Sequence, residues 1–343
     1  MRRWLAIFAA GGAVLVLIVL GGLWQAERWL NEPLNVPTNG VSFEIAAGTA
    51  LGTVSQQLAE QGILDKPQLF TWYARLSGKA SAVQAGEYFI EVRTTPSALL
   101  QKFVSGNVQL HSFTIIEGWT FRELLAAIAK DASLRSTLTY EDWPALLEKL
   151  GAEAEHPEGL FLPETYRFPA GTTDVELLTQ AHELLLVALA EEWQGRAENL
   201  PLASPYEALI LASIIEKETG RADERARIAG VFVRRLQKRM RLQTDPTVIY
   251  GIGVDFNGNL TRRDLRTDTP YNTYTRGGLP PTPIALPGRD AIRAAVHPAP
   301  GNELFFVATG LGDGSHRFSE TKEQHDAAVR EFLARQRASR MGK

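Results

Sequence analysis

The chain has 343 residues, of which 45% are hydrophobic and 22% charged, so it can hold two or three domains with cores of ordinary size. Its 36 basic and 39 acidic residues give a formal net charge of −3, which leaves out the strong positive field that nucleic-acid binding requires. With no cysteine there are no disulfides, thiolate metal sites or cysteine nucleophiles, and His111, His156, His182, His297, His316 and His325 include no i, i+4 pair, so no metal site is expected.

Residues 4–24 carry no charged side chain, and about 20 apolar residues suffice to cross a hydrocarbon core of ~30 Å. One transmembrane anchor is expected within residues 1–30. Arg2 and Arg3 precede it, so the positive-inside rule keeps the N-terminus cytoplasmic and sends the rest of the chain outside, while Trp4, Trp24 and Trp29 suit the two membrane interfaces. A cleaved signal peptide is the competing reading, but such peptides have a shorter apolar region and Leu23-Trp24-Gln25 is a poor cleavage site. Residues 31–40 (NEPLNVPTNG) have linker composition.

The folded part begins near Val41. Residues 41–45 (VSFEI) alternate as a strand does, and residues 50–61 carry Leu51, Val54 and Leu58 on one helical stripe. Pro67 opens a second helix through Leu76, and residues 86–90 (GEYFI) predict a returning strand. This β-α-α-β unit, residues 41–107, resembles the LysM fold, a module that binds N-acetylglucosamine-containing glycans; a plain spacer is the alternative. The plan is used twice if the ungapped match of Ser42–Gly48 (SFEIAAG) with Ser112–Gly118 (SFTIIEG) reflects duplication, with a second unit near residues 112–178. Glu87-Tyr88, Thr94-Thr95 and Leu99-Leu100 then find counterparts in Thr165-Tyr166, Thr172-Thr173 and Leu177-Leu178.

Chemistry concentrates between Tyr206 and Gly251. The stretch from Glu207 to Leu236 predicts one helix, apolar almost all round before it meets charge, and therefore buried. Glu216 and Glu218 are two residues apart and point to different faces, so only one can serve a given site. Glu218 stands above Ile215, Ile214 and Leu211, the more apolar neighbourhood, which raises a carboxyl pKa and suits a proton donor. The bland reading pairs Glu218 with Arg221 or Lys217 and leaves Glu216 in solvent. Asp245-Pro246 predicts a turn before a strand-like Thr247–Tyr250; Gln243 and Asp245 can contact sugar hydroxyls, although Asp245 is as readily a turn cap. Tyr271, Asn272, Thr273 and Tyr274 combine aromatic faces with hydrogen-bonding tips, as saccharide clefts do, and equally suit a packed loop. Glu164 is a further acidic candidate in a loop. His297 and His316 are assigned structural roles. Residues 310–314 (GLGDG) predict a turn between strands and lack the strand-then-helix context of a phosphate cradle, so no cofactor is expected.

The run from Leu211 to Gly251 resembles the YceG-like (MltG) family of endolytic murein transglycosylases, and the resemblance continues through Tyr271–Tyr274, Gly278–Pro281, Ala294–Pro298 and Leu304–Ala308. It implies an α+β ectodomain on a single transmembrane helix, with a mixed α/β catalytic domain over residues 108–343. It also implies cleavage of the β-1,4 bond between N-acetylmuramic acid and N-acetylglucosamine in nascent peptidoglycan strands, leaving 1,6-anhydro ends, with Glu218 as the single acid/base and Gln243, Asp245, Tyr271, Asn272, Thr273, Tyr274 and Glu164 as contacts to the glycan. The anchor and its orientation place the chain in the cytoplasmic membrane with a periplasmic catalytic domain, and the resemblance implies penicillin-binding proteins as partners. The competing classes are a non-enzymatic peptidoglycan-binding scaffold, in which Glu218 is an ion-pair partner, and a hydrolytic muramidase.

Overall fold

A computed structural model describes residues 2–341, with side chains for residues 11–338. Arg2 and Arg3, which carry the orientation argument, and Trp4, expected at an interface, have side chains outside the described residues. Among the described residues the fold is mixed α+β, made mostly of helices with three two-stranded sheets. Two compact units divide the chain, one covering residues up to 111 plus 167–170, the other residues 112–166 and 171 onward.

The first unit begins with α1 (Arg2–Leu30), whose stretch Gly11–Leu30 is long and apolar enough to cross a membrane. Trp24 is exposed like the apolar residues before it, whereas Trp29 is not an interface residue: it is only 5% exposed and belongs to the protein core. Its indole N–H donates to Asp65 at 2.7 Å, a partner a buried indole needs. Residues 31–40 are likewise tied down, with Leu34 N–H bonded to Thr94 O and Asn35 N–H to Ile63 O. β1 (Val41–Ile45), α2 (Leu51–Glu60), α3 (Pro67–Leu76), β2 (Gly86–Ile90) and α4 (Pro96–Ser105) follow. β1 and β2 pair antiparallel, with Phe43 opposite Tyr88, and their inward residues Phe43, Ile45, Tyr88 and Ile90 meet Val54, Leu58, Phe70, Leu99 and Phe103.

The same order then recurs as β3 (Leu110–Thr114), α5 (Phe121–Ile128), α6 (Trp143–Leu150), β4 (Thr165–Pro169) and α7 (Asp174–Gln194), with β3 and β4 paired. At constant spacing, buried Phe43, Ile45, Val54 and Leu58 correspond to buried Phe113, Ile115, Leu124 and Ile128. Tyr88 and Tyr166 each donate a hydroxyl to the carbonyl four residues upstream, Gln84 and Leu162. Thr95 and Thr173 cap α4 and α7 through their hydroxyls, and Leu99-Leu100 and Leu177-Leu178 are buried behind them.

The rest of the second unit is organised by α8 (Pro205–Glu218), every residue of which from Ala208 to Ile215 is buried. Four helices surround it: α7, α9 (Ala222–Gln237), α10 (Asp245–Ile252) and α11 (Arg289–Val296). The single helix expected across this region is therefore two. Thr219 adopts an extended backbone, its hydroxyl accepts from Arg221 N–H at 3.0 Å, and Gly220 follows, so local side-chain bonding and weak helix formers end α8 at Glu218. α9 restarts with Asp223 and Glu224 in its first turn and ends on Arg234 and Arg235, both matched to its dipole. The hairpin β5 (Phe305–Ala308) and β6 (His316–Ser319) encloses the GLGDG turn, and α12 (Lys322–Met341) packs against it.

Candidate active site

Glu218 is the last residue of α8, so the buried helix delivers its carboxyl to the point where the chain breaks. There it lines an open cavity of about 380 Å³ together with Arg235, Leu242, Gln243, Asp245, Tyr274, Phe305, Phe306, Val307, Lys322 and His325. Burial pushes the Glu218 carboxyl above the usual carboxylate range; the Thr244 hydroxyl opposes this by donating to Oε1, the Asp245 charge reinforces it, and His316 and Arg235 weaken it. The Arg221 or Lys217 ion pair of the bland reading is not formed. Arg221 pairs with Asp223, and the Lys217 ammonium donates to Gly118 O.

The residues beside Glu218 come from two short segments, 243–247 and 272–274, bonded to each other. Asp245-Pro246 does not make a turn before a strand: it opens α10, with Thr244 at the N-cap and the proline in the first turn, where its missing N–H costs nothing. Thr244, Thr247 and Thr273 are buried and mutually bonded; Thr244 N–H donates to Thr273 Oγ1 at 3.1 Å, and Thr247 and Thr273 hydroxyls are 2.9 Å apart. Gln243 sits at φ +52°, a left-handed conformation that costs a non-glycine residue energy, and its N–H is held by Thr273 O. The Tyr274 hydroxyl donates to Asp245 Oδ1 at 2.5 Å, and burial raises the phenol pKa further out of reach.

The expected site residues thus separate. Glu218, Gln243, Asp245 and Tyr274 share the cavity. Asn272 and Thr273 are buried supports rather than lining: the Asn272 amide donates to the carbonyls of Asp264, Leu265 and Thr267 and its oxygen accepts from Tyr274 N–H. Tyr271 does not line the cavity; it packs edge-on against Tyr250 and bonds Thr282 at 2.8 Å. Glu164 is exposed, accepts from the N–H of Thr165 and is also absent from the lining. Glu216, expected in solvent by the bland reading, has a side chain only 5% exposed, locked between Gly288 N–H at 3.0 Å and Arg225 at 3.5 Å. His316 is held by buried Glu224 at 2.7 Å, and His297 is exposed. A separate buried carboxyl, Glu158, accepts from Phe121 N–H and the Tyr250 hydroxyl, and desolvation pushes it up to about 7.

Sequence reasoning missed Arg235, the β5 residues Phe305, Phe306 and Val307, and Lys322 and His325 of α12. These join the cavity through tertiary packing of α9, β5 and α12, and no local spacing links them.

The YceG-like family model matches residues 43–331, and the chain belongs to that family. It is 29% identical over 335 residues to the endolytic murein transglycosylase of Bacillus subtilis (strain 168), covering 92% of each chain. It is 26% identical to the endolytic murein transglycosylase of Streptococcus pneumoniae (strain D39), covering 93% of this chain and 64% of the pneumococcal one. A solved YceG-like protein from Listeria monocytogenes superposes with a TM-score of 0.51 at 27% identity, over 85% of this chain and 99% of that one.

Proposed function

We propose that this chain is an endolytic murein transglycosylase with Glu218 as its acid/base. The observation that carries the reading is that, of the two raised carboxyls at the end of a buried helix, Glu218 opens to a cavity whose other walls supply Gln243, Asp245 and Tyr274 as polar and aromatic contacts. A carboxyl desolvated in this way holds its proton at higher pH than a surface carboxyl and can give it to the glycosidic oxygen as the C1–O bond breaks. The resulting carboxylate takes the proton of the C6 hydroxyl of the same sugar while that oxygen bonds to C1, which closes the 1,6-anhydro ring and returns Glu218 to its starting form. No water is consumed, and the tethered nucleophile removes the need for the second carboxylate of a hydrolase. Asn272 and Thr273 position Tyr274, Gln243 and Thr244 and make no sugar contact in this scheme.

The apolar α1 serves as a single-pass anchor in the cytoplasmic membrane with the N-terminus inside, so the active site works outside on nascent strands beside the synthases, penicillin-binding proteins among them. The β1–β2 unit is a LysM-like module that either engages the same strands or serves as a plain spacer between the membrane and the catalytic domain.

The test is mass spectrometry of uncrosslinked murein strands digested by the full chain in detergent; removing residues 1–30 would take Trp29 out of the first core. Anhydro-ended fragments are expected from the parent protein and not from Glu218→Gln. Reducing ends in their place would mean a hydrolase, and strands bound but uncut would mean a scaffold.

A further inference from the structure

Arg235 is 7% exposed, yet no carboxylate pairs with it among the described residues. Its Nε donates to Leu304 O at 2.6 Å and its Nη1 to Leu242 O at 2.7 Å and Arg241 O at 3.3 Å; the structure gives Nη2 no hydrogen-bond partner. The contrast with its neighbours on α9 is sharp: Arg225 meets Glu117, Glu216 and Asp290, and Arg234 meets Glu303. The guanidinium is held by carbonyls, and Glu218, whose charge acts on it across the cavity, is neutral while it keeps its proton, so a negative charge arriving from elsewhere would stabilise it. Arg235 lines the Glu218 cavity, so the charge can arrive there. An ammonium and an imidazole, the latter kept towards its neutral form by burial and by the Lys322 charge, line the same space. His325 stacks on Phe305 at 5.2 Å with its Nδ1 unpartnered, and the Lys322 ammonium, shared with Asp326, lies one helical turn before it. Phe305 also backs the Arg235 guanidinium at 5.1 Å, shielding it from solvent.

We propose that Arg235, assisted by Lys322 and His325, forms a carboxylate subsite beside Glu218 that binds the acidic substituent of one sugar and thereby selects which glycosidic bond is cut. The inference rests on the murein reading. In murein only every second sugar bears a lactyl ether, which ends either in its own carboxylate or in a peptide that carries carboxylates; the alternate sugar is neutral. With Nε and Nη1 fixed on backbone carbonyls, the free Nη2 donates to such a group and sets the register of the strand over Glu218.

The experiment uses the full chain in detergent and four uncrosslinked strands: peptide-bearing, peptide-bearing with its carboxylates methylamidated, peptide-free with the lactyl carboxylate, and peptide-free with that carboxylate amidated. Anhydro ends give kcat/KM, and binding of the same strands to Glu218→Gln gives affinity. The parent is expected to lose about tenfold or more when the recognised carboxylate is amidated, as for a charged hydrogen bond. The peptide arms and the lactyl arms tell which source supplies it. Arg235→Gln is expected to be slower on every strand and to have lost the charged-over-amidated preference, whereas a purely structural arginine would slow all strands and keep the preference. Lys322→Gln, on an exposed side chain, is expected to reduce the preference about two- to threefold with the fold intact. Equal treatment of charged and amidated strands by the parent, in cleavage and in binding, overturns the subsite. Absence of cleavage with a persisting carboxylate preference in binding overturns the transglycosylase reading alone.

Discussion

Glu216 and Glu218 stand two residues apart at the end of α8, and burial raises the pKa of both. Around Glu216 the protein closes the shell: Gly288 N–H and Arg225 take its oxygens, and Glu117 and Asp290 share the same arginine. Around Glu218 the shell is left open on one side, with a single hydroxyl from Thr244 and a cavity beyond. Withdrawal from water is therefore not what distinguishes a working carboxyl from a structural one in this molecule. The distinction is whether a second face of the group remains free to meet a substrate.

The largest effect expected from this contrast is at Glu218. Glu218→Gln keeps the shape and removes the transferable proton, and is expected to lower the rate of anhydro-end formation about a thousandfold with little change in strand binding. A loss under tenfold would move the acid elsewhere. Glu158, a third buried carboxyl, sharpens the comparison through stability. Its folded pKa of about 7 lies above the ordinary value of 4.5, so its contribution is fully present below 4.5 and is lost as pH rises through about 7, by about 3 kcal/mol. Thermal midpoints of the parent should fall over that window, and Glu158→Gln should flatten the fall. Next comes Thr244→Val, which removes the bond that holds the Glu218 pKa down. Because activity needs the protonated form, the alkaline limb of the pH–rate profile should move to higher pH, with a rate loss of about tenfold from poorer orientation of the carboxyl. The smallest effect belongs to Glu216→Gln. The amide oxygen can still accept from Gly288 N–H and Arg225 retains two other carboxylates, so about 1 kcal/mol of stability and less than threefold in rate are expected in denaturation and turnover assays. A thousandfold loss there, with Glu218→Gln active, would reverse the two roles.

Much of the first unit was legible because its elements are short and locally coded. The alternation of Val41–Ile45, the proline at the start of α3 and the stripe of Leu51, Val54 and Leu58 each specify an element from within, and the structure has them there. Trp29 was misplaced, since an amphipathic ring suits a membrane interface and a protein core alike, and only its bond to Asp65 decides between them. The break between α8 and α9 was present in Thr219-Gly220 but was outvoted by the apolar run on one side and the amphipathic run on the other. α10 was missed for a similar reason: Thr244-Asp245-Pro246 suits a turn and a helix start equally, and the threonine contacts that settle it come from residue 273.

The sequence by itself determined the apolar N-terminal helix and the buried character of α8, because each rests on composition or on spacing along one element, and its motifs between Leu211 and Ala308 carried the resemblance to the YceG-like family, which implied the α+β class. Which of two neighbouring glutamates opens onto a cavity was decided by tertiary structure alone. So was the recruitment of Arg235, Phe305 and His325 to that cavity, and the retreat of Asn272 and Thr273 beneath it. Helical periodicity fixes the direction in which a side chain leaves its own helix, but burial, partners and access are properties of what other segments bring to meet it.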